Sequence, residues 1–171
     1  MASLMEELIA TLEKENHEYE KLLELSMRKS DAVALRDVAQ IEKITDDEQI
    51  VVSNITRLDS KREEVTKDIA NVINKDVESL KLSVLVELMS RQPSEQKRLS
   101  DIHDKLKNTV HRVKMVNESN SKLIAETLEM VEFDMNLLRS MRQAPQTANY
   151  GRNAVSSGAE LGAIKGFDAK Q

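Results

Sequence analysis

The chain has 171 residues, a net charge of −5 and no cysteine, and its four glycines all lie in the last 21 residues. Turns between β-strands and phosphate-binding loops both need glycine, so most β and α/β folds and nucleotide-binding loops are excluded. The lack of cysteine excludes disulfide scaffolds and thiolate zinc sites. No apolar run approaches the ~20 residues that cross a bilayer, so we expect a helical, cytoplasmic protein without membrane insertion.

Apolar residues recur every three or four positions, which predicts amphipathic helices. The predicted helices cover about residues 3–29, 38–73, 79–90 and 94–142. Asp37 and Gln40 form a capping-box pattern at the start of the second helix. After the last helix, proline, glycine, serine and asparagine become frequent, so 143–171 is predicted to be a flexible tail.

The lengths of these helices favour a rod over a globule. At ~1.5 Å per residue, a helix over 38–73 is about 54 Å long. The last stripe repeats every ~3.5 residues, the spacing of helices that supercoil together. We therefore expect an all-α fold for residues 1–142: an elongated antiparallel bundle or coiled coil of three long helices with a short connecting helix. Such stripes can pack against one another within one chain or between two chains, so the sequence is compatible with both a monomer and a homodimer.

Catalytic and metal-binding residues are sparse. His17, His103 and His111 belong to no H-E-x-x-H or Glu-x-x-His pair, so the ligand sets of zinc proteases and di-iron bundles are missing. We expect no metal, no cofactor and no enzyme activity. The basic segment 97–114 could follow a phosphate backbone, but the chain is acidic and no aromatic ring lies nearby to stack on bases. A basic helix face that complements acidic helices explains it better, so we expect no nucleic-acid partner.

Polar residues interrupt the apolar stripes at Glu15, Glu48, Asn117 and Asn120. A polar residue buried in a coiled coil fixes the register of the helices at some cost in stability, and we favour this interpretation. If the long helices fold back antiparallel, the four residues would lie at similar positions along the axis of the bundle. The hypothesis is a hydrogen-bonded polar layer across the bundle.

The end of the last helix carries a wide apolar arc. Met130, Phe133, Leu137 and Met141 extend this arc beyond what one partner helix covers. Methionine-rich surfaces suit helical or disordered partners, while ordinary core packing would explain the same residues. The tail adds large apolar residues to a segment too rich in glycine to fold alone, and it could become ordered when a partner docks. These tail residues are Tyr150, Leu161, Ile164 and Phe167.

Several motifs keep a recognisable order along the chain. The first helix contains L-x-x-E-x-x-x-Y-x-x-L-L from Leu12 to Leu23, and matching positions continue to Arg62. The last helix contains N-x-x-N-x-x-L-I from Asn117, and Tyr150 and a glycine follow it. These motifs span about residues 5–152. In the order of its motifs and the lengths of its predicted helices, the chain resembles the FlgN-like flagellar export chaperones.

The resemblance implies a non-enzymatic chaperone of bacterial flagellum assembly. Such a protein would bind the C-terminal helical segments of hook–filament junction proteins and deliver them to the type III export gate or to components associated with the export ATPase. On this sequence, the client surface would comprise Met130, Phe133, Leu137 and Met141, extended by the tail residues Leu161, Ile164 and Phe167. Tyr150 would contact the gate. The alternative is a coiled-coil adaptor or scaffold with no secretion client.

Overall fold

The computed structural model describes residues 2–77, 80–89 and 92–143. These residues form four α-helices and no β-strand. The helices are α1 (Ala2–Ala34), α2 (Val38–Ile73), α3 (Leu82–Leu88) and α4 (Pro93–Gln143). The predicted all-α fold, with three long helices and a short connecting one, is therefore confirmed. Of the predicted tail, only Gln143 is described, as the last residue of α4; the rest lies outside the described residues.

Helix α1 is longer than the predicted 3–29, and α3 is shorter than the predicted 79–90. The extra residues of α1 belong to the helix because Ala32 and Val33 are buried against the rest of the fold. Burial of apolar side chains thus extends the helix through a stretch whose sequence pattern is weak.

Local signals in the sequence set the ends of α2. The Asp37 carboxylate caps its N-terminus by accepting a hydrogen bond from the backbone N–H of Gln40 at 3.1 Å. Asn74 ends the helix in the left-handed conformation (φ 53°), and its N–H donates to the carbonyls of Ala70 and Asn71. Asparagine tolerates this conformation better than most residues, so the stop is encoded locally.

Contacts between side chains show that α1 and α2 are antiparallel. Near the start of α1, Glu7 pairs with Lys61 at 2.8 Å. Near its end, Lys29 pairs with Glu48 at 2.6 Å. As the residue number along α1 rises, the residue number of its partner on α2 falls. This is the pattern of an antiparallel pair joined by a short turn.

Helices α1 and α4 are parallel. Arg98 pairs with Glu6 at 2.9 Å, and much further along both helices Asn120 contacts the backbone of Ser26. The residue numbers of the paired positions rise together, with offsets of 92 and 94, which is the pattern of two parallel helices.

The chain divides into two compact units, Met1–Leu128 and Glu129–Gln171. Unit 1 contains two apolar clusters. The larger joins all four helices around the fully buried Leu8, Leu12 and Leu99. The smaller joins α1, α2 and α4 around Leu23 and Val113. Burying side chains of this size stabilises a fold by about 1.5–3 kcal/mol each, so these clusters hold the three long helices together.

Unit 2, in its described part, consists of residues 129–143 at the end of α4. Every one of these residues is exposed. None of the described helices is both long enough and apolar enough to span a membrane.

Candidate functional site

Four large apolar side chains that were predicted to bind a partner lie exposed on α4. Met130, Phe133, Leu137 and Met141 are between 49% and 68% exposed. At about 100° per residue, they fall within an arc of about 80° on the helix surface. We call these four residues the Phe133 stripe. They form a continuous apolar strip in water, the kind of surface that marks an interaction site.

A second apolar strip lies on the same part of α4. Val131, Met135 and Leu138 are between 41% and 56% exposed, and they form what we call the Met135 stripe. Its centre lies about 120° around the helix from the centre of the Phe133 stripe. In the sequence these residues continue the stripe of apolar residues that forms the core of unit 1, so periodicity alone does not separate core from surface here.

The polar residues of the remaining arc complete the surface. Glu129, Glu132, Asn136 and Arg139 are all exposed there. The acidic pair precedes the basic residue along the helix, so the charge on this arc changes from negative to positive toward the C-terminus.

Two of the predicted polar-layer residues, Glu48 and Asn120, meet around Ser26. The Asn120 side-chain amide donates to the Ser26 carbonyl at 2.7 Å, and its oxygen accepts a hydrogen bond from the Ser30 hydroxyl. The Ser26 hydroxyl donates to Glu48 at 3.2 Å, and Lys29 donates to the other Glu48 oxygen at 2.6 Å. This network links α1, α2 and α4, and it satisfies the buried amide of Asn120.

The structure does not bring the other two polar residues to this network. The Glu15 side chain is only 4% exposed, and its Oε2 lies 3.5 Å from the Nε of Arg62. No described residue hydrogen-bonds that oxygen. Asn117 is exposed.

Burial raises the pKa of Glu15 above its ordinary value; nearby Arg62 opposes this rise, while Asp59 adds to it. A buried carboxylate with an oxygen that accepts no hydrogen bond is disfavoured relative to its protonated form. Because the folded protein binds this proton more tightly than the unfolded chain, Glu15 stabilises the fold below its ordinary pKa of about 4.5. That contribution is lost as the pH rises through the pKa of the folded state.

A Glu15→Gln variant is therefore expected to lose less stability than the wild type when the pH is raised from about 4.5 to about 7. At neutral pH it should be more stable than the wild type, because position 15 then buries no charge and Arg62 keeps its ion pair with Asp59. Urea unfolding at several pH values measures both effects. Glu24→Gln, at an exposed position of the same helix, is the control and should follow the wild type. Identical pH profiles for Glu15→Gln and the wild type would contradict this account.

The basic segment and the histidines offer little chemistry. Arg98 pairs with Glu6 and Glu13, and Lys105 pairs with Glu20, so part of the basic face binds carboxylates of α1. The described residues contain no group of three His, Cys, Asp or Glu side chains arranged to hold a metal ion. The segment's pairings are those of a helix–helix contact.

The remaining predicted site residues are Tyr150, Leu161, Ile164 and Phe167. They lie outside the described residues. The candidate site described by the structure is therefore the exposed end of α4, with its two apolar stripes.

Comparisons with known proteins bear on what binds there. Searches of curated proteins and of solved structures give no match. The family model described as FlgN protein matches residues 1–158, which is most of the chain. This match confirms the resemblance seen in the sequence: the chain belongs to the FlgN family of flagellar export chaperones.

Proposed function

We propose that this protein binds the C-terminal helical segments of hook–filament junction proteins at the Phe133 stripe and delivers them to the flagellar type III export gate. Membership of a chaperone family implies that it binds protein partners. The observation that carries the proposal is the exposure of Met130, Phe133, Leu137 and Met141 along one face of α4. A client helix would cover them in the cytoplasm before export.

The spacing of the stripe fits the recognition of a helix. Its members follow one another at intervals of three, four and four residues, the spacing that presents one face of a helix to an apolar partner. Two of the four are methionines, whose flexible side chains adapt to partners of different shape. Covering apolar surface contributes ~25 cal/mol per Å², from which the cost of ordering the client is subtracted.

Release and delivery require no covalent step in this proposal. Binding by apolar contact is reversible, so a competing contact at the gate suffices to free the client. We propose that Tyr150 makes the gate contact and that Leu161, Ile164 and Phe167 extend the client surface. These residues lie beyond the described part of α4. The role of Tyr150 follows from the family resemblance, and that of the other three from their large apolar side chains.

Isothermal titration of the full chain with a junction protein from the same genome tests the proposal. The intact client is expected to bind, and a client lacking its C-terminal helical segment is expected not to bind. Circular dichroism of the shortened client is the control for folding. Apart from the helical signal of the missing segment, its spectrum should match that of the intact client. Equal affinity for both clients would contradict the proposal.

The second candidate is a coiled-coil adaptor without a secretion client. The Met135 stripe favours it, because the intervals of four and three residues between Val131, Met135 and Leu138 are typical of helices that pair with one another. An adaptor would not bind junction proteins in the same titration. Its association would instead depend on the Met135 stripe and tolerate changes in the Phe133 stripe.

A further inference from the structure

A groove in unit 1 is lined by residues of α2, of α4 and of the segment that leads into α3. Its volume is about 630 Å³. Helix α2 contributes Arg62 and Lys67, the N-cap of α3 contributes Lys81, and α4 contributes His103. Among the described residues that line the groove, Glu63 supplies the one carboxylate. The groove is therefore more positive than the chain as a whole, whose net charge is −5.

Two of these cations have charge to offer a ligand. Lys67 and Lys81 are both exposed, and neither forms an ion pair with a described residue. By contrast Lys61, on a neighbouring turn of α2, pairs with Glu7 at 2.8 Å. An unpaired ammonium group in a concave site attracts an anionic partner and fixes its position. The two lysines come from different elements, so they can hold two acidic groups of one partner.

The groove also has an apolar part. Leu80 is buried, Leu82 is half-buried and Val77 is exposed, and all three line the groove. A small inorganic anion makes no use of such a surface, whereas a polypeptide can place an apolar side chain on it. Among its described residues the groove has no Phe, Tyr or Trp ring on which a nucleic-acid base could stack. The lining therefore favours a polypeptide that carries both carboxylates and apolar side chains.

We propose that this groove binds an acidic segment of a partner protein, with carboxylates against Lys67 and Lys81 and an apolar side chain against Val77 and Leu82. The groove belongs to unit 1 and the Phe133 stripe to unit 2, so the inference does not depend on client binding. Because both lysines are exposed, the contact is weak and salt-sensitive. We expect a Kd of roughly 100 μM at about 50 mM salt, rising about tenfold at about 300 mM.

A short synthetic peptide that repeats the triplet Glu-Glu-Leu is the probe, titrated into the full chain by calorimetry. A peptide with serine in place of each glutamate should not bind. A peptide with serine in place of each leucine should bind at least about fivefold more weakly, because the apolar part of the groove stays uncovered. Equal affinity for the last peptide would show recognition of charge alone and would overturn the proposal.

Substitutions in the groove locate the binding site. Lys67→Glu and Lys81→Glu should each weaken peptide binding at least about fivefold, whereas Glu63→Gln should strengthen it about twofold by removing a like charge. Lys14→Glu is the matched control: it makes the same change of charge at an exposed position of α1 that does not line the groove. It should bind like the wild type, and circular dichroism shows whether each variant keeps its helices.

Three further results would overturn the proposal. The first is a wild-type chain that does not bind the Glu-Glu-Leu peptide. The second is a Lys14→Glu variant that loses as much affinity as the two groove variants, which would leave net charge as the cause. The third is tripolyphosphate that binds through Lys67 and Lys81 more tightly than the peptide, which would assign the groove to a phosphate ligand. Titration with a junction protein is a separate readout, so failure here leaves the proposed client binding standing.

Discussion

Replacing Phe133 with aspartate is expected to weaken binding of a junction-protein segment by at least about 100-fold. The side chain is 68% exposed and lies within the Phe133 stripe, where a client helix would cover it. The substitution removes the largest apolar group of the surface and places a carboxylate in an interface that excludes water. Aromatic anchors at the centre of an interface commonly carry binding energy of this size. Isothermal titration with the purified client measures the change.

Met115→Asp is the matched control for this variant. Met115 is also a large apolar residue of α4, it is 58% exposed, and it lies in unit 1, away from both stripes. The control carries the same added charge and loses at least as much helix propensity, and it should bind the client like the wild type. If Met115→Asp weakens binding as much as Phe133→Asp does, net charge or helix stability explains the loss, and the Phe133 stripe is not the client surface.

The fold was predictable because its determinants are local. Amphipathic periodicity revealed the long helices, and the pairing of Asp37 with Gln40 marked the start of α2. Pro93 marks the start of α4, at a helical position where the missing N–H costs nothing. None of these signals depends on which helix packs against which, so a single sequence sufficed.

The position of each polar residue along the axis of the bundle was not predictable, because it depends on where the chain turns. Helix α1 continues to Ala34, which shifts its pairing with α2. Glu15 consequently lies beside Arg62, whereas Glu48 lies beside Lys29. The two α1 residues of these contacts, Glu15 and Lys29, are about 20 Å apart along the helix. A few residues of difference in one helix end are enough to separate two positions that the sequence pattern placed in one layer.

The two asparagines show the same limit on a smaller scale. Asn117 and Asn120 are three positions apart and look equivalent in the sequence. Asn120 is buried because it meets a backbone carbonyl of α1, while Asn117 faces water. The Met135 stripe shows the same limit, because the periodicity of an apolar stripe does not say whether its residues are buried or exposed.

The largest loss of stability is expected from Leu8→Ala. Leu8 is fully buried in the cluster that joins all four helices, where it packs among residues such as Val65, Ile69 and Leu99. Truncating it removes apolar contacts and leaves a cavity that the surrounding long helices cannot readily close. We expect the free energy of unfolding to fall by about 3–4 kcal/mol, measured by urea unfolding at neutral pH.

Leu35→Ala removes the same atoms at a position that is 77% exposed, and it is the control. Its expected cost is within about 0.5 kcal/mol of zero, because surface truncations leave no cavity. The pair separates core packing from the loss of the leucine side chain itself, since both variants remove the same atoms and Leu35 lies just after the end of α1. Equal effects of the two substitutions would mean that the four-helix cluster does not hold the bundle together in solution.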